Sequence, residues 1–161
     1  MCHKIIARCL SSLLSLLIAG LFAACKEKPV LYTYCSTPVE GWESMDTLKY
    51  HVDTLKSSGI YEMSIGVRTS ATTLYPYQSL WLIMRQSWHN PERTTTDTLQ
   101  LQFTNAKGDV EGHGVSIYQF DFPLSALQLP AGASADIRIT HIMSRELLPG
   151  ITDIGIKLQK Q

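Results

Sequence analysis

The chain has 161 residues, 45% of them hydrophobic, and its 14 basic residues balance its 14 acidic ones. That length suits one domain, and that apolar share suits a packed core rather than a disordered tail. A neutral balance without a basic run argues against a nucleic-acid partner, which needs a clustered cationic surface.

Residues 1–24 read as a lipoprotein signal peptide. Lys4 and Arg8 open it without an acid, and an apolar run follows from Leu10 to Ala24, broken only by Ser11, Ser12, Ser15 and Gly20. A basic start, an apolar middle and small residues before a cut site are the marks of an export signal. The run ends Leu21-Phe22-Ala23-Ala24-Cys25, and a Cys directly after two alanines resembles a lipobox. Cys25 is therefore the expected lipidation site and new N-terminus. The alternatives are plain secretion and an uncleaved anchor, although about 15 apolar residues fall short of the roughly 20 that span a bilayer. One acyl chain binds marginally and several bind firmly, so a lipidated Cys25 predicts lasting attachment to a membrane. Removing Lys4 and Arg8 leaves 12 basic residues against 14 acidic, a net charge of about −2.

Residues 25–29 form a short lipidated tether, charged at Lys26-Glu27-Lys28, and residues 30–161 form a single β-sandwich domain. Cys2 and Cys9 leave with the signal and Cys25 takes the lipid, so Cys35 alone remains and no intrachain disulfide is available. Packing alone must hold the exported domain. Cys35 reads as a half-buried strand thiol.

The domain reads as β throughout, from period-two alternation and turn residues. Val30 to Ser36 is a first strand. Asp46 to Leu55 is a second, with Leu48, Tyr50 and Val52 on one face. Lys56-Ser57-Ser58-Gly59 is a turn, and Ile60 to Thr69 follows with Tyr61, Met63, Ile65 and Val67 on one face. So short a link predicts that these two strands pair. Ser79 to Ser87, with the run Leu80-Trp81-Leu82-Ile83-Met84, reads as a central strand covered on both faces. Thr94 to Phe103 alternates again, Asn105 to Asp109 is a turn, and Glu111 to Gly114 is Gly-rich. Val115 to Phe122 is a strand, Leu124 to Leu129 a helical turn before Pro130. Ser134 to Met143 and Ile151 to Leu158 close the chain. About eight strands with regular turn signals predict an all-β, antiparallel β-sandwich, immunoglobulin-like or jelly-roll-like.

Several phrases occur in the order seen in one family. They are the signal with Cys25, Tyr34 to Gly41-Trp42, Asp46-Thr47-Leu48, Arg68, and Tyr75-Pro76-Tyr77-Gln78-Ser79-Leu80. Asp97-Thr98, the Gly108 to Gly114 turn, and Leu148-Pro149-Gly150-Ile151-Thr152-Asp153-Ile154-Gly155-Ile156 follow. Together they resemble the gliding-motility lipoprotein family GldH of Bacteroidetes. The resemblance implies a protein of the cell envelope, lipid-anchored, with the outer membrane as its expected membrane. It also implies gliding motility and an associated secretion machine, with no enzymatic activity. The chain departs from the family pattern at Val110 or Glu111, where an aromatic is usual, and at Ser144, where Arg is usual.

The candidate binding surface is aromatic: Trp42, Tyr75, Tyr77 and Trp88. Trp42, in a loop after Gly41, is either an exposed platform or a plug across the sandwich edge. Trp88 lies in the loop Trp88-His89-Asn90-Pro91, whereas Trp81 reads as core. Pro76 stiffens the link between Tyr75 and Tyr77 and aims both rings. They either present faces to a sugar or peptide or cover the open end of the sandwich. Arg68 and Arg85 are expected to pair with carboxylates such as Asp46 or Asp97. Asp109, Glu111 and His113 alternate in a turn, and His51, His89 and His141 lack zinc-site spacing, so no metal and no cofactor are expected. Paired catalytic acids, a nucleophile elbow and a phosphate loop are missing, so no catalytic residue is nominated. The leading reading is a membrane-anchored protein that docks other envelope or motility proteins. The alternative is a cell-surface carbohydrate-binding module, and an uncharacterised hydrolase comes last.

Overall fold

Alternation of apolar and polar residues drives this chain into strands. The computed structural model describes residues 28–73 and 75–161, and Cys25 and residues 1–24 lie outside them. Ten strands and no helix occur among the described residues. They are β1 (Leu31–Ser36), β2 (Trp42–Glu43), β3 (Leu48–Val52), β4 (Gly59–Ser70), β5 (Ser79–His89), β6 (Arg93–Gln102), β7 (Ile117–Leu129), β8 (Ser134–His141), β9 (Leu147–Leu148) and β10 (Ile151–Lys160).

Two four-stranded antiparallel sheets form, ordered β1-β10-β4-β7 and β3-β8-β5-β6, and β2 pairs with β9. This is the expected β-sandwich, with two strands too short to show a period in sequence. The inner faces come from the alternating apolar residues. Tyr61, Met63, Ile65 and Val67 of β4 and Ile154, Ile156 and Leu158 of β10 are buried, as are Leu80, Leu82, Met84, Ile137 and Ile139 of the other sheet. Burying such side chains contributes about 1.5–3 kcal/mol each. The two sheets are also joined by a hydrogen bond. Tyr50 on β3 donates its hydroxyl to the Ile154 carbonyl on β10 at 2.7 Å.

The structure differs from the sequence expectation in three places. β3 and β4 are not a hairpin: β3 pairs with β8, and β4 lies in the other sheet. The reason is the link between them. Leu55 donates to Ala133 and accepts from Gly132, which ties the link to the β7–β8 turn and sends the chain across to the opposite sheet. β5 is central in hydrogen bonding, between β8 and β6, but only one of its faces is covered. Trp81 therefore points outward at 38% exposure and is not core. Finally, residues 124–129 make no helical turn. They extend β7, and residues 125–129 pair with residues 59–63 of β4. Pro123 is tolerated there because β7 is an edge strand, and a bulge between Met63 and Ser64 absorbs the extra residue Leu124.

Candidate functional site

The sandwich is closed along one side and open along the other. On the closed side β1 lies beside β3, with the half-buried Cys35 thiol 3.5 Å from the Lys49 carbonyl oxygen. On the open side β6 and β7 end their sheets; apart from the His113–Gln119 bridge near the start of β7, their outer edges have no strand partner among the described residues. Between them lies a cleft of about 660 Å³. Met84, Trp88, Leu99, Leu127 and Ala133 give it an apolar lining, and Gln86, Arg93, Thr95 and Asp97 give it polar groups. Two hydrogen bonds order the polar part. Trp88 Nε1 donates to Gln86 Oε1 at 3.1 Å, and Gln86 Nε2 donates to Asp97 Oδ2 at 3.4 Å.

The four aromatics nominated by sequence do not form one surface. Trp42 is fully buried; its Nε1 donates to the Asp46 carbonyl at 3.0 Å, and its ring meets His141 edge-on at 5.1 Å. It is the plug, not the platform. Trp88 is 6% exposed, since the β5 register turns it inward to wall the cleft. The two lie apart: His141 pairs with Leu82 and Ala135 with Trp88, six residues along β5, or about 20 Å. Tyr75 and Tyr77 do meet, edge to face at 5.6 Å, but both are half-buried. Tyr75 packs on Phe103 and donates its hydroxyl to the Ser79 carbonyl at 2.9 Å. Burial raises its pKa well above the ordinary phenol value. Phe103, Phe120 and Phe122 continue this cluster, so the tyrosines cap the end of the core.

The two most specific sequence phrases touch. Gly150 has φ +85°, and a Cβ there would lie 2.6 Å from the Tyr75 nitrogen and 2.7 Å from the Thr73 carbonyl oxygen. The Leu-Pro-Gly-Ile turn thus packs directly under the Tyr-Pro-Tyr loop. Trp42 pairs with Leu148 of the same turn, so Gly41-Trp42 joins this assembly.

Arg68 does not pair with Asp46 or Asp97. Its guanidinium stacks 3.8 Å above the Tyr34 ring, and its Nε donates to Gln119 Oε1 at 3.2 Å. The Tyr34 ring in turn lies over Gly155 and Gly66, which stand beside it in register. Two adjacent glycines leave the trough that the ring fills. Burial, followed by the neighbouring Tyr32, pushes the Tyr34 hydroxyl up to about 12. The alternating trio behaves as a turn: Asp109 Oδ2 accepts from Asn105 Nδ2 at 3.1 Å, and Glu111 and His113 are exposed. His51 and His89 flank Asp136, at 2.9 Å and 3.3 Å. Sequence spacing gave no hint of this trio, because β3, β5 and β8 bring it together across the sheet.

Architecture and cleft define an antiparallel β-sandwich protein with one open side. The GldH lipoprotein family model matches residues 30–158, and the chain belongs to that family. No curated protein matches it. Among solved structures, the globular domain of zebrafish complement 1qA is 11% identical, covering 83% of this chain and 97% of that one at a TM-score of 0.43. A family 35 carbohydrate-binding module from Clostridium thermocellum is 13% identical, covering 79% and 92% at a TM-score of 0.36. Likeness this slight carries no weight for fold or function.

Proposed function

We propose that this protein is a lipid-tethered docking domain of the cell envelope, acting without catalysis as a component of the gliding-motility and secretion machinery. The family match over residues 30–158 is the observation that carries the reading. The lipid on Cys25 fixes the domain at a membrane, with the outer membrane proposed. The β6–β7 cleft then receives a segment of another envelope protein. Its apolar lining supplies burial, and the two open strand edges supply backbone donors and acceptors to an extended segment. The carbohydrate reading loses its stacking rings, since Trp42 and Trp88 are buried and Tyr75 and Tyr77 meet edge to face.

The test is recovery of partners by the full lipidated protein, solubilised from its own membranes. Wild type recovers one or more envelope proteins at constant ratio. Ser125→Trp, placed at an exposed rim position of the cleft, loses them while remaining folded. Equal recovery by both would refute docking at the cleft. A glycan-array signal with no protein recovered would refute the docking reading as a whole.

A further inference from the structure

The outer face of the β3-β8-β5-β6 sheet carries a row of cations that no carboxylate pairs among the described residues. Lys49 stands opposite Arg138, and Arg138 opposite Arg85, so three cations cross three adjacent strands. All three are exposed. Adjacent strands lie about 4.8 Å apart, and like charges directly opposite one another cost stability. Among the described residues the carboxylates of this face, Asp53 and Asp136, contact His51 and His89 and not the row. Asp136, two residues along β8, is already held by both histidines. Strand β6 brings Thr94, Thr96 and Thr98 to the face and no acid.

The same face has an apolar end. Trp81 is 38% exposed and Ile142 is 46% exposed, and the Ile142 N–H donates to the Trp81 carbonyl at 3.0 Å. The opposite outer face has the reverse balance, with Glu62, Asp121 and Asp153 against Arg68 and Lys157. Three cations against Asp53 and Asp136 on the first face, and two against three acids on the second, leave the two sides differing in sign. A basic strip beside a half-exposed Trp is the composition that binds at a lipid head-group boundary. An acidic protein would answer the cations but not the tether. Residues 25–29 extend to about 17 Å at most. That length keeps the domain close to the head groups, where the cations act before screening removes them.

We propose that this face lies against anionic lipid head groups. Lys49, Arg85 and Arg138 meet the phosphates, and Trp81 and Ile142 meet the head-group boundary. The inference rests on the lipid tether proposed above. The β6–β7 cleft opens between the sheets and not through this face, so it stays open to a protein partner when the face is down. Each cation shifts the ratio of face-down to face-up molecules by roughly fivefold.

Trp81 is the natural reporter, because Trp42 and Trp88 are buried. The full lipidated protein is reconstituted into vesicles of phosphatidylglycerol with phosphatidylethanolamine, or of phosphatidylcholine alone. Acrylamide quenching of tryptophan then reads exposure, with Trp81→Phe assigning the signal. The expected result is shielding of Trp81 on the anionic vesicles only. It is reversed by about 0.5 M salt, where the Debye length falls below about 5 Å. It is also reversed in the Arg85→Gln/Arg138→Gln variant, whose Trp42 and Trp88 emission stays native. Equal exposure on both vesicles, or equal shielding on both, overturns the proposal. So does shielding that needs added membrane proteins. The mass of the N-terminal peptide separates the two levels. An acylated peptide with unshielded Trp81 sinks this inference alone, whereas an unmodified Cys25 sinks the tether and this inference with it.

Discussion

His141 shows how one buried side chain sets a pH limit on the fold. It is 1% exposed, its Nε2 lies 2.9 Å from the Trp42 carbonyl oxygen, and its Nδ1 accepts from the Met143 N–H at 3.3 Å. Both contacts are satisfied together by the neutral ring protonated at Nε2. Burial lowers its pKa below the ordinary histidine value. The unfolded chain therefore takes up this proton first, and stability is complete above about pH 6.5 and declines as the pH falls below it. Thermal melting at pH 7.5 and 5.5 is expected to show a drop in Tm that His141→Gln reduces, since glutamine keeps a donor but does not titrate. A drop of equal size in the variant would remove His141 as the cause. Tyr50 gives a second prediction. Tyr50→Phe leaves the buried Ile154 carbonyl without the donor at 2.7 Å, and is expected to cost about 1–3 kcal/mol in urea unfolding.

At the scale of elements, the Leu-Pro-Gly-Ile turn and the Tyr-Pro-Tyr loop behave as one unit. Gly150→Ala forces a left-handed residue and drives a Cβ into the Tyr75 backbone. The expected cost is about 2–4 kcal/mol, read by chemical unfolding. Gly108→Ala, at φ +88° with open space around it, isolates the backbone part of that cost and is expected to lose less. The strands themselves were legible because alternation is a local signal. Tyr61, Met63, Ile65 and Val67 announce a face without reference to any partner. Pairing was not legible, because β3 finds β8 through the Leu55–Ala133 bond, a contact far along the chain. Leu124 and Leu127 have helical spacing, yet β4 offers that segment backbone partners and the strand wins. Trp81 misled for a similar reason. A run of five apolar residues looks alike whether one or both faces are covered.

For the whole molecule, the order β1-β10-β4-β7 over β3-β8-β5-β6 leaves a closed side and an open one. Sequence fixes neither, because openness depends on which strands become edges. The nominated aromatics illustrate the gap. Loop position made Trp42 and Trp88 look available, but availability is decided by what surrounds a loop, and here both rings are taken into the core. The family was legible, because its phrases hold fixed turns such as Gly150, and those turns survive in the fold. Partner choice was not, because the cleft is assembled from residues between Met84 and Ala133 in three strands and their loops.

The docking account is tested most directly by a photo-reactive residue at position 125, on the cleft rim, in the lipidated protein within living cells. The account predicts a discrete cross-link to an envelope protein, absent when the same group replaces the exposed Tyr32 on β1, at the opposite edge of that sheet. Adducts of equal yield at both positions, or none at 125, would contradict it.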